Sequence, residues 1–342
     1  MGSPRRAEPN AGIIDSRGCA AHAGRCPCRC GTIRREFSDL RFTRSGRFLT
    51  MPIPLINRPA VADPYRHSRS RQLVARMVRL SVCQLSTFRW SFEEDVLQYH
   101  AAGYEAVGIW RPKLTDYGEE KAAELLAEQG LRASSLHWIG GFTGSDGRSG
   151  REVMYDALDA VQTAADIGAE TVVALSGGRG GHTRRHAHRL VRKALTELAE
   201  AAQAVGVQLA IEPMHVGCGP DCSFINSIPQ CLDLICEIGN SHLGIVFDCY
   251  HLGLDSTVMA WLESIVPHVK LVQLGDAKHA PMGEQNRCLL GSGCLPLQEI
   301  VRRFQQAGYG GYYEIELLGQ SLEQVQYHQM LAHSRQVVGA WL

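Results

Sequence analysis

The chain has 342 residues, and 35 basic side chains balance 35 acidic ones, yet residues 1–76 hold fifteen Arg, no Lys and five acids while the remainder holds twenty basic and thirty acidic residues. This split, about +10 against about −10, marks two regions rather than one domain. An apolar content of 45% excludes wholesale disorder, no apolar run reaches the roughly 18 residues of a membrane span, and the acidic body argues against a nucleic-acid partner.

Residues 1–76 scatter Gly, Pro, Arg and Ser without helical or strand periodicity and read as irregular. The apolar stretch Phe48–Ile56 is broken by Pro52 and Pro54 and lacks a small-residue cleavage pattern, so it is not a secretory signal. Cys26, Cys28 and Cys30 lack the C-x2-C pairing of zinc knuckles and read as chance composition. Met77 opens the first strand-like run and is the expected start of the natural protein, with Met51 as the alternative. Residues 1–76 are then a leader or a mis-assigned start, and residues 77–342 the working domain. Without a secretion signal, the later cysteines are expected to be reduced thiols of a cytoplasmic protein. Among them, Cys218 and Cys222 read as part of a loose surface loop.

From Met77 on, a short apolar run is followed by a helix-period segment eight times. Strands are expected at 79–85, 106–110, 132–138, 171–176, 207–213, 243–248, 269–276 and 312–318. Helices are expected near 92–102, 117–129, 151–167, 185–205, 227–238, 256–265, 296–307 and 321–340. Alternating strands and helices imply a parallel sheet with right-handed crossovers. Eight units over the 266 residues from Met77 fit a (β/α)8 TIM barrel, usually about 250 residues long. No G-x-G-x-x-G follows the first strand, which argues against a doubly wound sheet.

In such a barrel the chemistry sits at the C-terminal ends of the strands. Strand 5 ends in Glu212, with His215 close behind. Strand 6 ends in Asp248, with His251 one turn on. Strand 7 carries Gln273 and then Asp276, and strand 8 carries Glu314 and Glu316. A carboxylate in an apolar strand is costly unless it is paired or metal-bound. Three strand-terminal carboxylates and one amide on four consecutive strands suit a hard or borderline divalent cation: Mn²⁺, Mg²⁺ or Co²⁺, with Zn²⁺ possible.

"IEPMH", "FDCYH", "VQLGDA" and "YEIEL", in this order, resemble the xylose isomerase-like barrel superfamily, the sugar phosphate isomerase/epimerase group related in fold to endonuclease IV. The resemblance covers about residues 79–340. It implies that Glu212, Asp248, Gln273 and Glu316 bind one divalent metal. Gln at the strand-7 position departs from the common His and resembles the hydroxypyruvate isomerase pattern, which favours Mg²⁺ or Mn²⁺ over Zn²⁺. Glu314 and Glu316 point to the same face, and the family pattern selects Glu316. The resemblance also marks His251 and Arg287 as substrate contacts. His137 and Trp110 end strands 3 and 2 and are further candidates, although His137 also reads as a satisfied core histidine. His215 is a candidate neighbour of the ligand set. Lys113 reads either as a contact to an anionic group or as a solvated lysine. "SGGRGGHT" (176–183) lacks the GK[ST] of a P-loop, and "HTRRHAHR" reads as a solvated helix start.

The implied activity is that of an isomerase or epimerase of a keto or aldo sugar, or of a sugar-like polyol ketone. The proton would pass through an enediolate stabilised by the metal, with Glu212 and Glu316 removing and returning it. A metal-dependent dehydratase or lyase on a keto-inositol or dehydroshikimate-like substrate uses the same ligands. An endonuclease IV-like phosphodiesterase fits poorly, because Asp276-Ala277-Lys278 replaces the Asp-x-His of that chemistry. A non-catalytic binding barrel is the remaining alternative. The expected partner is a small sugar or polyol rather than nucleic acid or membrane, and the expected assembly is a homodimer or homotetramer.

Overall fold

The computed structural model describes residues 78–282 and 286–341. Residues 1–76 with their cysteine run and both candidate starts, Met51 and Met77, lie outside the described residues, as do residues 283–285.

Eight parallel strands close a barrel: β1 (Arg79–Cys83), β2 (Ala106–Trp110), β3 (Arg132–Gly140), β4 (Thr171–Leu175), β5 (Gln208–Ile211), β6 (Leu243–Asp248), β7 (Val269–Leu274) and β10 (Tyr312–Ile315), with β10 pairing β1. A short antiparallel hairpin, β8 (Asp276–Ala277) and β9 (Arg287–Cys288), follows β7. The helices around the strands are α1 (Phe92–Ala101), α2 (Arg111–Tyr117), α3 (Glu119–Gln129), α4 (Gly150–Asp166), α5 (Arg184–Val205), α6 (Ile228–Ile238), α7 (Cys249–Leu252), α8 (Ser256–Ile265), α9 (Leu297–Gln306) and α10 (Tyr327–Gly339). All eight expected units are present. Among the described residues no helix is long and apolar enough to cross a membrane.

Local chemistry sets the boundaries. Ser91 and Ser149 cap α1 and α4 in reciprocal capping boxes with Glu94 and Glu152. Gly206 ends α5 in a left-handed conformation that a side chain would resist, and so turns the chain into β5. β5 stops at Ile211 because Pro213 has no N–H to extend the ladder. β7 is shorter than expected, because Asp276 leaves the barrel. Its carboxylate accepts from the amides of Ala277, Gly291, Gly293 and Leu295 and pins the hairpin that follows.

The strands carry two apolar layers. A large one packs their outer faces against the helices. A small one, Ala106, Val173, Ala210, Val246, Leu271 and Tyr312, fills the barrel interior. Two residues further along, alternation points Glu212, Asp248, Gln273 and Glu314 to the same interior. The apolar plug thus forms the floor of a polar site. Space above it is tight: a Cβ on Gly108 would fall on the Glu314 carboxylate and the Ser135 hydroxyl. Gly108→Ala is therefore expected to cost about 1–3 kcal/mol, read as a fall in the thermal midpoint.

Candidate functional site

β5, β6, β7 and β10 bring four donors to the mouth of the barrel: Glu212, Asp248, Gln273 and Glu316, all buried. Gln273 lies in register with Asp248 on one side and Glu314 on the other. Its amide Nε2 donates to Glu316 Oε2, which leaves Oε1 buried and, among the described residues, without a hydrogen-bond partner. Asp248 Oδ1 accepts from the Tyr250 amide at 2.8 Å and caps α7. That cap turns His251 back over the site, where its Nε2 lies 3.6 Å from both Glu212 Oε1 and Asp248 Oδ2. Donor atoms of Glu212, Asp248 and His251 all fall within 4.8 Å of one another.

Arg287 enters from β9. Its Nη2 donates to Asp248 Oδ2 and lies 3.1 Å from Glu316 Oε1. Its guanidinium sits 4.4 Å over the ring of Tyr250. One guanidinium faces three buried carboxyl groups. Burial, together with neighbouring Glu316 and Asp248, holds the Glu212 carboxyl well above its ordinary range despite Arg287. Burial raises Glu316 as well, against the pull of Arg287.

This donor set fits a divalent cation. Three carboxyl groups crowd around one guanidinium, and among the described residues Gln273 Oε1 is an acceptor with no donor. An oxygen-rich set of this kind suits a hard or borderline ion.

His137 lies one layer deeper. Its Nε2 is 2.7 Å from Glu314 Oε1 and 2.9 Å from Ser135 Oγ. Glu314 Oε2 accepts from Ser134 at 2.7 Å and from Ser135 and Ser81. Burial alone would lower the His137 pKa, but Cys83 and Glu314 beside it hold the imidazole well above its ordinary value. Burial likewise opposes ionisation of Glu314, yet the His137 charge and the His137, Ser135 and Ser134 hydrogen bonds keep it below the usual range. Both shifts favour a buried imidazolium–carboxylate pair.

The other candidates divide. Trp110 is half-buried, and its amide donates to Gln84 Oε1 at 2.9 Å. His215 sits on the β5–α6 loop, where its Nδ1 accepts from Gly217 N at 3.0 Å. Lys113 is neither solvated nor at the mouth. Its ammonium is buried 2.6 Å from Asp95 Oδ2 and bonds the Thr87 carbonyl, tying α1 and α2 to the turn after β1. His182 of the basic run bonds the Thr143 carbonyl at 3.2 Å, and Thr183 caps α5. Sequence reasoning missed Cys218, a free thiol 3.3 Å from His251 Nδ1, because nothing in a Gly/Pro loop predicts that contact.

A closed parallel barrel with a carboxylate-rich mouth defines a class of barrel proteins. Residues 96–337 match the family model described as xylose isomerase-like TIM barrel, and the chain belongs to that family. An inosose isomerase of Bacillus velezensis is 22% identical over 237 residues, 66% of this chain and 83% of that protein. A D-psicose 3-epimerase of Enterocloster bolteae is 32% identical over 124 residues, 36% of this chain and 37% of that protein. A crystal structure of a protein from Sinorhizobium meliloti superposes with a TM-score of 0.71 at 25% identity, covering 77% of this chain and 98% of that one. The IOLI protein, solved with a bound zinc atom, gives a TM-score of 0.67 at 18% identity, with 77% and 98% covered.

Proposed function

We propose that this chain is a divalent-metal-dependent isomerase or epimerase that moves a proton at the carbon beside a carbonyl of a sugar or sugar-like polyol ketone. The coarser class, an isomerase or epimerase of small sugars and polyols, is supported by the family and by the names of its relatives. The observation that carries the finer reading is the Gln273 amide. It is buried in a ring of carboxyl groups, its nitrogen donates to Glu316, and its oxygen meets no donor among the described residues.

Glu212, Asp248, Gln273 and Glu316 are the residues that would hold the cation. A bound divalent ion supplies Lewis-acid stabilisation of negative charge developing on substrate oxygens. Glu212 and Glu316 stand one residue past the ends of β5 and β10, which are not neighbours in the barrel. One carboxylate takes the proton from the carbon and the other returns it. Arg287 and the His251 N–H orient substrate oxygens by hydrogen bonds. Mn²⁺ or Mg²⁺ suits the oxygen-only ligand set best.

The experiment is solvent-deuterium incorporation into ketoses and keto-inositols, with and without added Mn²⁺ or Mg²⁺. Incorporation is expected with the ion and loss of it after chelation. Full exchange in chelated protein overturns the metal role. A product lighter by one water in place of exchange favours the dehydratase reading.

A further inference from the structure

His251 lies on α7, one turn beyond β6, with 4% of its surface exposed. Among the described residues its Nε2 has no hydrogen-bond partner, and it faces the Glu212 and Asp248 carboxyl groups, 3.6 Å from each. Its other nitrogen, Nδ1, is 3.3 Å from the sulfur of Cys218. That sulfur comes from a different element, the β5–α6 loop.

The loop is well anchored, not loose. Cys218 N and Gly219 N donate to the His215 carbonyl, and Cys222 N and Ser223 N donate to that of Gly219. The glycines after β4 hold it from the other side: Gly177 N donates to Cys222 O at 2.9 Å and Gly178 N to Asp221 O at 2.8 Å. Gly217 leaves no room for a Cβ against the Pro281 carbonyl. The thiol is thereby fixed relative to the imidazole.

A neutral imidazole carries one N–H and one lone pair. Burial pushes the Cys218 thiol up to about 11, so its sulfur carries a proton to donate. Asp248 Oδ2, 3.6 Å from Nε2, repels a lone pair there and favours N–H. The lone pair then falls on Nδ1, where the S–H is the donor in reach. The competing acceptor for that S–H, the His215 carbonyl, is farther, at 3.6 Å.

We propose that Cys218 is a positioning residue: its S–H donates to His251 Nδ1 and fixes the ring as the Nε2–H tautomer, which presents an N–H donor at the mouth of the site. The identity of the oxygen that accepts this N–H rests on the sugar chemistry proposed above; the tautomer does not.

The test uses the full chain with ¹⁵N-labelled histidine, and His251 is assigned by loss of its signals in His251→Gln. Long-range ¹H–¹⁵N spectra are expected to show Nε2–H for His251 in the wild type and mixed tautomers in Cys218→Ala. Cys218→Ser, which keeps a donor, is expected to restore Nε2–H. On a ketose that the wild type exchanges, kcat/KM is expected to fall about 10-fold in Cys218→Ala, the scale for groups that orient a site residue, and to recover in Cys218→Ser. If Cys218→Ala fails to fold, Cys218→Val, of closer volume, takes its place. An Nδ1–H tautomer in the wild type, or an unchanged tautomer and rate in the variant lacking a donor, overturns the proposal. If no ketose is exchanged by the wild type, the functional reading fails while the tautomer still decides the role of Cys218.

Discussion

Glu316→Gln is expected to lower proton exchange at the substrate carbon by about 10³-fold or more, because in the proposed mechanism one substitution removes both a proton carrier and a charge that would hold the cation. The shape of the site is conserved in this variant, so the loss reads chemistry rather than packing. Gln273 Nε2 currently donates to Glu316 Oε2, and Arg287 lies 3.1 Å from Oε1. An amide in that place presents one acceptor and one donor where the carboxylate presented two acceptors. Calorimetric titration with Mn²⁺ is expected to show weakened binding, and exchange is expected to stay low even when the ion is raised to saturation. Glu314→Gln, two residues away, is the control. Glu314 bonds His137 and the serines of the deeper layer, so its loss is expected to act chiefly on stability. Equal exchange in wild type and Glu316→Gln at saturating Mn²⁺ would falsify the assignment of Glu316 as a proton carrier.

The second large effect is on stability. His137→Leu strips Glu314 of its cationic partner, which leaves a carboxylate with only hydroxyl donors deep in the barrel. Breaking a buried ion pair from one side costs about 3–5 kcal/mol, measured as a shift in denaturant midpoint at constant slope. The effect depends on pH through both partners. The folded His137 pKa is raised, so its contribution is complete below the unfolded imidazole value, about 6.5, and fades as pH climbs toward the folded value. The folded Glu314 pKa is lowered, so its contribution is complete above the unfolded carboxyl value, about 4.3, and is lost as pH falls through the folded one. The gap between wild type and His137→Leu should therefore be widest between about pH 5 and 6.5. A gap that stays flat from pH 4 to pH 9 would show that His137 is a neutral packing residue. The double variant His137→Leu/Glu314→Leu should cost less than the sum of the singles, since no charge is left unpaired.

The barrel was legible because its signal repeats. Short apolar runs, several entered through a helix-ending glycine, alternate eight times with amphipathic segments and leave few other architectures. The strands carrying Glu212, Asp248 and Gln273 were each located within two residues at the start, because β-branched and Leu-rich runs mark buried parallel strands. The carboxylates stood out for the opposite reason: a charge in such a run has no cheap explanation. Chain ends of strands were read less well. Asp276 reads as the end of strand 7 but belongs to the hairpin, because backbone amides from three separate residues of the following loop close around it. Lys113, just past the end of strand 2, reads either as a contact to an anionic group or as a solvated lysine. It is buried, since its partner Asp95 lies on α1 and nothing local announces the pairing.

The sequence by itself determined the fold class and the strand-end side chains, since both follow from spacing along the chain. Tertiary structure decided which of them touch. Glu314 and Glu316 share a face and differ by two residues, so spacing alone leaves them equivalent. The closed barrel separates them: Glu314 meets His137 and the serines of β1 and β3, while Glu316 meets Gln273 and Arg287. Likewise Cys218 and His251 are 33 residues apart, and only the closure of the strands brings the thiol to the imidazole. Contacts between elements depend on barrel tilt and loop path, which are properties of the assembled core and are written in no local stretch of the chain.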